Sequence, residues 1–441
     1  MKTPIYDFAR AYAEGQALRA HMPGHKGVCR LGVEGLDITE IVGADSLYEA
    51  SGIIAKSEAC ASSIFAANTL YSTEGTSLSI RAVAAMLARY ADASAKNKKI
   101  LAARNAHKTF IYGAALADVE VEWLYGETYL SCSVDADKLA LRIREEKPVA
   151  VYITSPDYLG RVADVRAIAD VCHREGCLLI VDNAHGAYFK FLEPSCHPID
   201  LGADVVCDSA HKTLPVLTGG AYLHISKSTP CELLAYARSS MELFGSTSPS
   251  YLILESLDLC NRELASGYAA RIADFSAMMA EMRSKLNTGG YVILSEEPLK
   301  ITIDAKKYGY LGTELASILE ERGIYVEFSD PDYLVLMLSP DSGEDALVSV
   351  CEALLSIQRR EELIAPPPKP AMLEAVMSPR EALFSATECI PVSNSVGRIL
   401  ATASVGCPPA VPIAISGERI DECAREAFIY YGIENITVVK E

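Results

Sequence analysis

From about residue 70 to 225, short apolar runs alternate with stretches whose apolar residues recur at helical spacing. Ile80, Val83, Ala84 and Leu87 fall at i, i+3, i+4 and i+7, which predicts a helix packed on one face. Val149 to Ile153, Leu178 to Val181, Val205 to Cys207 and Ala221 to Ile225 are short runs, nearly all apolar, the pattern of buried strands. Between the first two, Val165, Ile168, Ala169 and Cys172 again lie at helical spacing. That stretch therefore reads strand, helix, strand and predicts a parallel pair. The predicted fold class is α/β.

Near Pro249 the pattern changes. Tyr251 to Ser266 contains neither Gly nor Pro, and Tyr268 to Leu286 continues it, so long linking helices are expected. A smaller α/β unit follows: strands at Lys300 to Asp304, Tyr325 to Phe328 and Tyr333 to Leu338, and helices at Glu314 to Glu321 (closed by Gly323) and Asp345 to Ile357. Pro366-Pro367-Pro368-Lys369-Pro370 makes a stiff, extended linker because proline fixes φ and blocks helix. The expected organisation is an N-terminal segment with a large domain over 1–250, linking helices with a small domain over 251–365, and a C-terminal module over 366–441.

Bulk properties narrow the function. The chain has 441 residues, half of them apolar, enough for two or three domains each with its own core. A formal charge of −18 and the lack of any basic run argue against a nucleic-acid partner. No apolar h-region follows the start, and no run of 18 apolar residues occurs, so neither export nor membrane insertion is expected and a cytoplasmic location is. The 13 cysteines are scattered, without CxxC or finger spacing, and read as free thiols rather than disulfides or a zinc site.

In an open parallel sheet, ligands bind beyond the carboxyl ends of the strands, so polar residues that follow apolar runs carry the chemistry. Three such places stand out. Gly75, Thr76 and Ser77 at a helix start offer N–H groups, hydroxyls and the positive end of the dipole to a phosphate, or simply cap the helix. Asp182 ends a strand of Leu, Leu, Ile and Val, where a carboxylate needs a partner: a protonated pyridine nitrogen, an arginine or a helix N-terminus. Lys212 follows a buried strand beside His211. Partial desolvation there would lower its pKa, as condensation with an aldehyde requires, although a lysine at a strand end can equally point to solvent.

One ligand, pyridoxal 5′-phosphate, uses all three features together. The segments His21-Met22-Pro23-Gly24-His25-Lys26-Gly27, Ser72 to Ser77, Arg104-Asn105-Ala106-His107-Lys108, Val181 to Gly186 and Ser209-Ala210-His211-Lys212-Thr213 resemble the Orn/Lys/Arg decarboxylase family, from about residue 18 to 260 and more faintly in the C-terminal module. The resemblance implies a fold-type-I architecture with a mainly parallel central sheet flanked by helices. It implies decarboxylation of lysine, ornithine or arginine to the corresponding amine with release of CO2, in polyamine biosynthesis. By residue, it assigns Lys212 to covalent attachment of the cofactor, Asp182 to the pyridine nitrogen and His107 to stacking on the ring, with His185 bordering it. Thr76, Ser77, Ser209 and His211, with Gly75, would surround the phosphate. Thr247 and Ser248, in Ser246-Thr247-Ser248-Pro249, would reach a neighbouring subunit's cofactor, which implies a homodimer or higher homo-oligomer. Either Lys212 or His211 would return the proton to Cα.

The chain also departs from the family pattern. Cys407, Ala410 and Ser416 replace a tyrosine, a glycine and a proline of the C-terminal module, which bears on substrate preference. The additional N-terminal domain of larger members is expected to be missing. Asp45 and Glu418 are candidates to pair with a cationic substrate side chain. His21 and His25 are not expected to bind metal, because Pro23-Gly24 denies them a shared helix, and no metal is expected. Two rival functions stay open: another reaction on the same cofactor, such as transamination or elimination, and a non-catalytic regulatory or assembly subunit that binds the cofactor. An aminotransferase would need an arginine clamp for the substrate carboxylate, and none is identifiable beside the motifs.

Overall fold

The computed structural model describes every residue except Gln16, Glu127, Leu130, Ser131, Ala371 and Cys407–Ala410. Of the departures noted above, those at Cys407 and Ala410 lie outside the described residues, and Ser416 lies within them. The chain divides into two compact units: Met1–Ile100, Ala140–Tyr152 and Val165–Ala270 form the first, and Leu101–Leu139, Ile153–Asp164 and Arg271–Glu441 the second. Strands are numbered β1 (Asn68–Ser72), β2 (Lys99–Ala103), β3 (Glu120–Leu124), β4 (Ala150–Thr154), β5 (Leu178–Asp182), β6 (Val205–Asp208), β7 (Ala221–Ile225), β8 (Lys300–Asp304), β9 (Phe328–Ser329) and β10 (Tyr333–Met337).

The first unit is built on strands in the order β1-β7-β6-β5-β4. β5 and β6 are parallel, with Asp182 opposite Cys207. β7, by contrast, runs antiparallel to both β6 and β1, which makes the sheet mixed. The apolar runs become strands because both faces are covered: Leu179, Ile180, Val181, Val205 and Val206 are all fully buried, each worth about 1.5–3 kcal/mol relative to exposure. The helix Gly75–Ala93 is rich in alanine, which favours helix and lets it lie close against the helix Cys231–Glu242. Val165–Arg174 is a strongly amphipathic helix whose buried side packs on β5. The linking helices Tyr251–Leu264 and Tyr268–Thr288 are separated at Gly267, which adopts φ +96°.

In the second unit β8, β10 and β9 form an antiparallel sheet in the order β8-β10-β9. The strand expected at Tyr325 to Phe328 is shorter and later. Only Phe328 and Ser329 pair with β10, and Tyr325 is 82% exposed, having no neighbouring strand to cover it. The expected helices occur at Gly312–Glu320 and Gly343–Leu355. The proline run forms no regular structure. Among the described residues no helix is long and apolar enough to cross a membrane.

Candidate functional site

Parallel pairing of β5 and β6 sets two polar strand ends side by side. β5 ends in Asp182, which is 3% exposed. Its Oδ2 accepts from the Tyr152 hydroxyl (3.1 Å) and its Oδ1 from the Ala184 N–H (3.2 Å). β6 runs into Ser209 and the single helical turn Ala210–Thr213, which carries His211 and Lys212. The Lys212 amine lies 2.9 Å from Nε2 of His185, a buried residue on the loop after β5. Lys212 itself is exposed in the single chain, which corrects the expected desolvation: the turn after β6 lifts its side chain out of the strand's apolar surroundings. His211 is half-buried and donates from Nδ1 to the Gly220 carbonyl (3.1 Å). Burial lowers its pKa, the Gly220 hydrogen bond opposes that, and the Lys212 charge adds to the lowering.

The phosphate-type cradle is assembled next to that turn. Gly75 begins its helix at φ +67°, the left-handed region that favours glycine. Its N–H donates to the Gly219 carbonyl (2.7 Å). Gly219 also needs to be glycine: it sits at φ +99°, and a Cβ there would come within 2.8 Å of the Thr73 carbonyl oxygen. The Thr76 and Ser209 hydroxyls are 2.9 Å apart, joining the helix start to the Lys212 turn. Ser77 lies in the same first turn, half-buried. The Ser246 N–H donates to Glu74 (2.7 Å), while Thr247 and Ser248 are exposed.

His107 belongs to the second unit, where it caps the helix Lys108–Ala117 by accepting from Thr109 through Nδ1, leaving its exposed ring held at one edge. The same unit contains Arg104 and Glu418, joined in a two-pronged, buried ion pair at 2.6 and 2.7 Å. The guanidinium carbon of Arg104 lies 5.5 Å from the Trp123 ring centroid and 5.1 Å from that of Tyr125.

Two expected substrate contacts are therefore corrected. Glu418 is already saturated by Arg104. Asp45 is buried and accepts N–H bonds from Ser51, Gly52 and Ile54 at 3.1, 2.7 and 3.0 Å, capping the helix Ile53–Phe65. Burial would raise its pKa, and these backbone donors outweigh that and hold it low. Both acids are thus buried and engaged by donors within the chain. His21 and His25 hydrogen-bond instead to Tyr12 (2.7 Å) and Asp37 (3.0 Å) in a turn.

This fold is that of the fold-type-I pyridoxal-phosphate enzymes. The chain has a TM-score of 0.79 to a lysine decarboxylase from Francisella novicida (18% identity, 99% of this chain and 81% of that one) and 0.57 to a NifS-like protein (13% identity, 80% and 95%). The chain belongs to the Orn/Lys/Arg decarboxylase family: residues 3–288 match the family's major domain and 361–435 its C-terminal domain. It is similar to an arginine decarboxylase of Bacillus subtilis (27% identity over 96% of this chain and 92% of the relative) and to an uncharacterised protein of the same organism (28%, 95% and 92%).

Proposed function

We propose that this chain is a pyridoxal-phosphate-dependent decarboxylase of a basic amino acid (lysine, ornithine or arginine) that yields CO2 and the corresponding primary amine. The observation that carries the reading is the pairing of β5 with β6, which sets a buried carboxylate, Asp182, beside the turn that presents the Lys212 amine. The donor set fits the cofactor: an amine for its aldehyde, a buried acid for its ring nitrogen, and hydroxyls and helix N–H groups at Gly75, Thr76, Ser77 and Ser209 for its phosphate. When bound, pyridoxal phosphate supplies an electron sink for the cleaved Cα–carboxylate bond.

This chain's residues do the rest. Asp182 keeps a proton at the ring nitrogen, helped by burial away from competing water. Lys212 returns the proton to Cα, with His185 within hydrogen-bond reach of its amine to hold or exchange it; His211 has committed Nδ1 to Gly220. His107 supplies a ring face for stacking. Thr247 and Ser248 serve a neighbouring subunit's site, so the working form is a cytoplasmic homo-oligomer. The test is to assay the protein with cofactor against lysine, ornithine and arginine separately. CO2 with a diamine or agmatine is expected, and a keto acid product would overturn the proposal. Lys212→Ala is expected to abolish turnover.

A further inference from the structure

Behind the strand ends lies a second acid that the reaction does not use directly. Asp208, the last residue of β6, is fully buried, as are His197 and His224. Its Oδ2 accepts from Nε2 of His197 (2.9 Å) and of His224 (3.2 Å), and its Oδ1 from the Asn183 side-chain amide (2.7 Å). Asn183 directly follows Asp182, and its own N–H donates to the Cys207 carbonyl (3.0 Å). Nδ1 of His197 accepts from the Ile199 N–H (3.3 Å), which a doubly protonated ring cannot do. Burial lowers the pKa of His224, whose Nδ1 is 2.9 Å from the Thr69 hydroxyl on β1. Phe65 closes over both imidazoles, 4.3 Å from His224 and 5.6 Å from His197 between centroids. The Asp208 carboxylate is thus held by three N–H donors, two from imidazoles and one from an amide. Burial alone would raise the pKa of Asp208, and the facing imidazoles outweigh this and hold it well below the carboxylate range.

The three side chains would also suit a metal ion by type. Tetrahedral zinc, with ligand bonds of about 2.0–2.1 Å, spaces its ligand atoms at about 3.3 Å, whereas His197 approaches the Asp208 oxygen to 2.9 Å, a hydrogen-bond distance. The geometry is that of a carboxylate held by N–H donors.

We infer that Asp208 is a positioning residue: through Asn183 its buried anion locks the Asp182 strand end to the strand end that carries Lys212, and its charge favours the protonated state of the cofactor held between them. This rests on the reading of Asp182 and Lys212 given above. The groups facing Asp208 are Asn183 just after β5, His224 from β7 and His197 from the loop before β6; Cys207 and Tyr222 are its other titratable neighbours, Asp182 acts on Cys207, and Lys190 acts on His224.

The test compares wild type, Asp208→Asn and the exchange Asn183→Asp with Asp208→Asn, each loaded with pyridoxal phosphate. The readouts are the pH midpoint of the bound cofactor's visible absorbance, kcat, KM and thermal melting. Asp208→Asn keeps size and removes charge. It is expected to lower the midpoint by about one pH unit and kcat by about tenfold, with KM changed less than about twofold, and the exchange should restore most of both. A folded, loaded Asp208→Asn with unchanged midpoint and kcat overturns the inference. So does an exchange variant that fails to fold or keeps the displaced midpoint, and so does one equivalent of zinc in wild type that is lost in His197→Gln. If Asp208→Asn does not load, the exchange variant decides alone by the same criterion. Wild type that acquires no cofactor band refutes the parent reading instead.

Discussion

Two buried carboxylates, one in each unit, are stabilised in opposite ways. Glu418 meets a full cation, Arg104, with both oxygens, so the pair is neutral and its field is local. Asp208 meets only dipoles, two imidazole N–H groups and an amide, so its charge survives. The first arrangement suits a structural tie between Arg104, just after β2, and the C-terminal Glu418. The second suits a place where a lasting negative potential is useful. Glu255 gives a third case: it is 3% exposed, its Oε1 has no partner, and burial, then Asp37 and Asp258, push its pKa up to about 8. Cation, dipoles or proton are three solutions to one desolvation problem.

The comparison is most sharply broken at Arg104. Arg104→Leu leaves a buried, unpaired acid and should cost about 3–5 kcal/mol in urea unfolding, whereas Arg104→Leu with Glu418→Leu together should lose less than that single change. Asp208→Asn should cost about 2 kcal/mol at pH 6. Its pH dependence has a definite sign: the folded pKa is depressed, so Asp208 stabilises above the unfolded value of about 4 and loses that contribution as pH falls through its folded value. Wild type and variant should therefore converge in melting temperature below pH 4.

Glu255 carries the opposite sign. Its folded pKa is raised from 4.5 to about 8, so stability present below pH 4.5 is lost as pH rises towards 8. Glu255→Gln should gain on the order of 1 kcal/mol over wild type at pH 8 and nothing at pH 4; an equal gain at both would remove ionisation as the cause. Smallest of all, raising salt from 0.1 to 1 M should change the Arg104 and Asp208 penalties by less than about 0.5 kcal/mol, because buried charges are poorly screened.

Much of the larger sheet was legible because its strands are buried on both faces and read as unbroken apolar runs. Leu178 to Val181 and Val149 to Ile153 are such cases. Strand direction was not legible for β7, since pairing direction depends on how the turn at Lys212 and the loop to Gly220 return the chain, not on composition. β2 and β3 were missed: Lys-Ile-Leu-Ala-Ala is short and alanine-rich, and Glu120 and Glu122 break the apolar run in β3. At the site, Lys212, Asp182 and the Gly75 start were visible as polar residues at strand or helix ends. The roles of Asp45 and Glu418 were not, because their partners lie in three dimensions; Glu418 and Arg104 are 314 residues apart. The Asp208 cluster had one available signal, a histidine inside the apolar run of β7, since a buried strand tolerates an imidazole only with partners on both nitrogens.

The partners of Asp208 come from β5, from the loop before β6 and from β7, with Thr69 of β1 behind His224. A nascent chain that has emerged only as far as β6 holds a carboxylate flanked by valines and cysteine with one of its three donors, His224, not yet made. Long-range pairings of this kind form late, so competence to take up an aldehyde during refolding should lag behind chain compaction. Such a lag would mark the interval in which exposed β6 is most open to self-association.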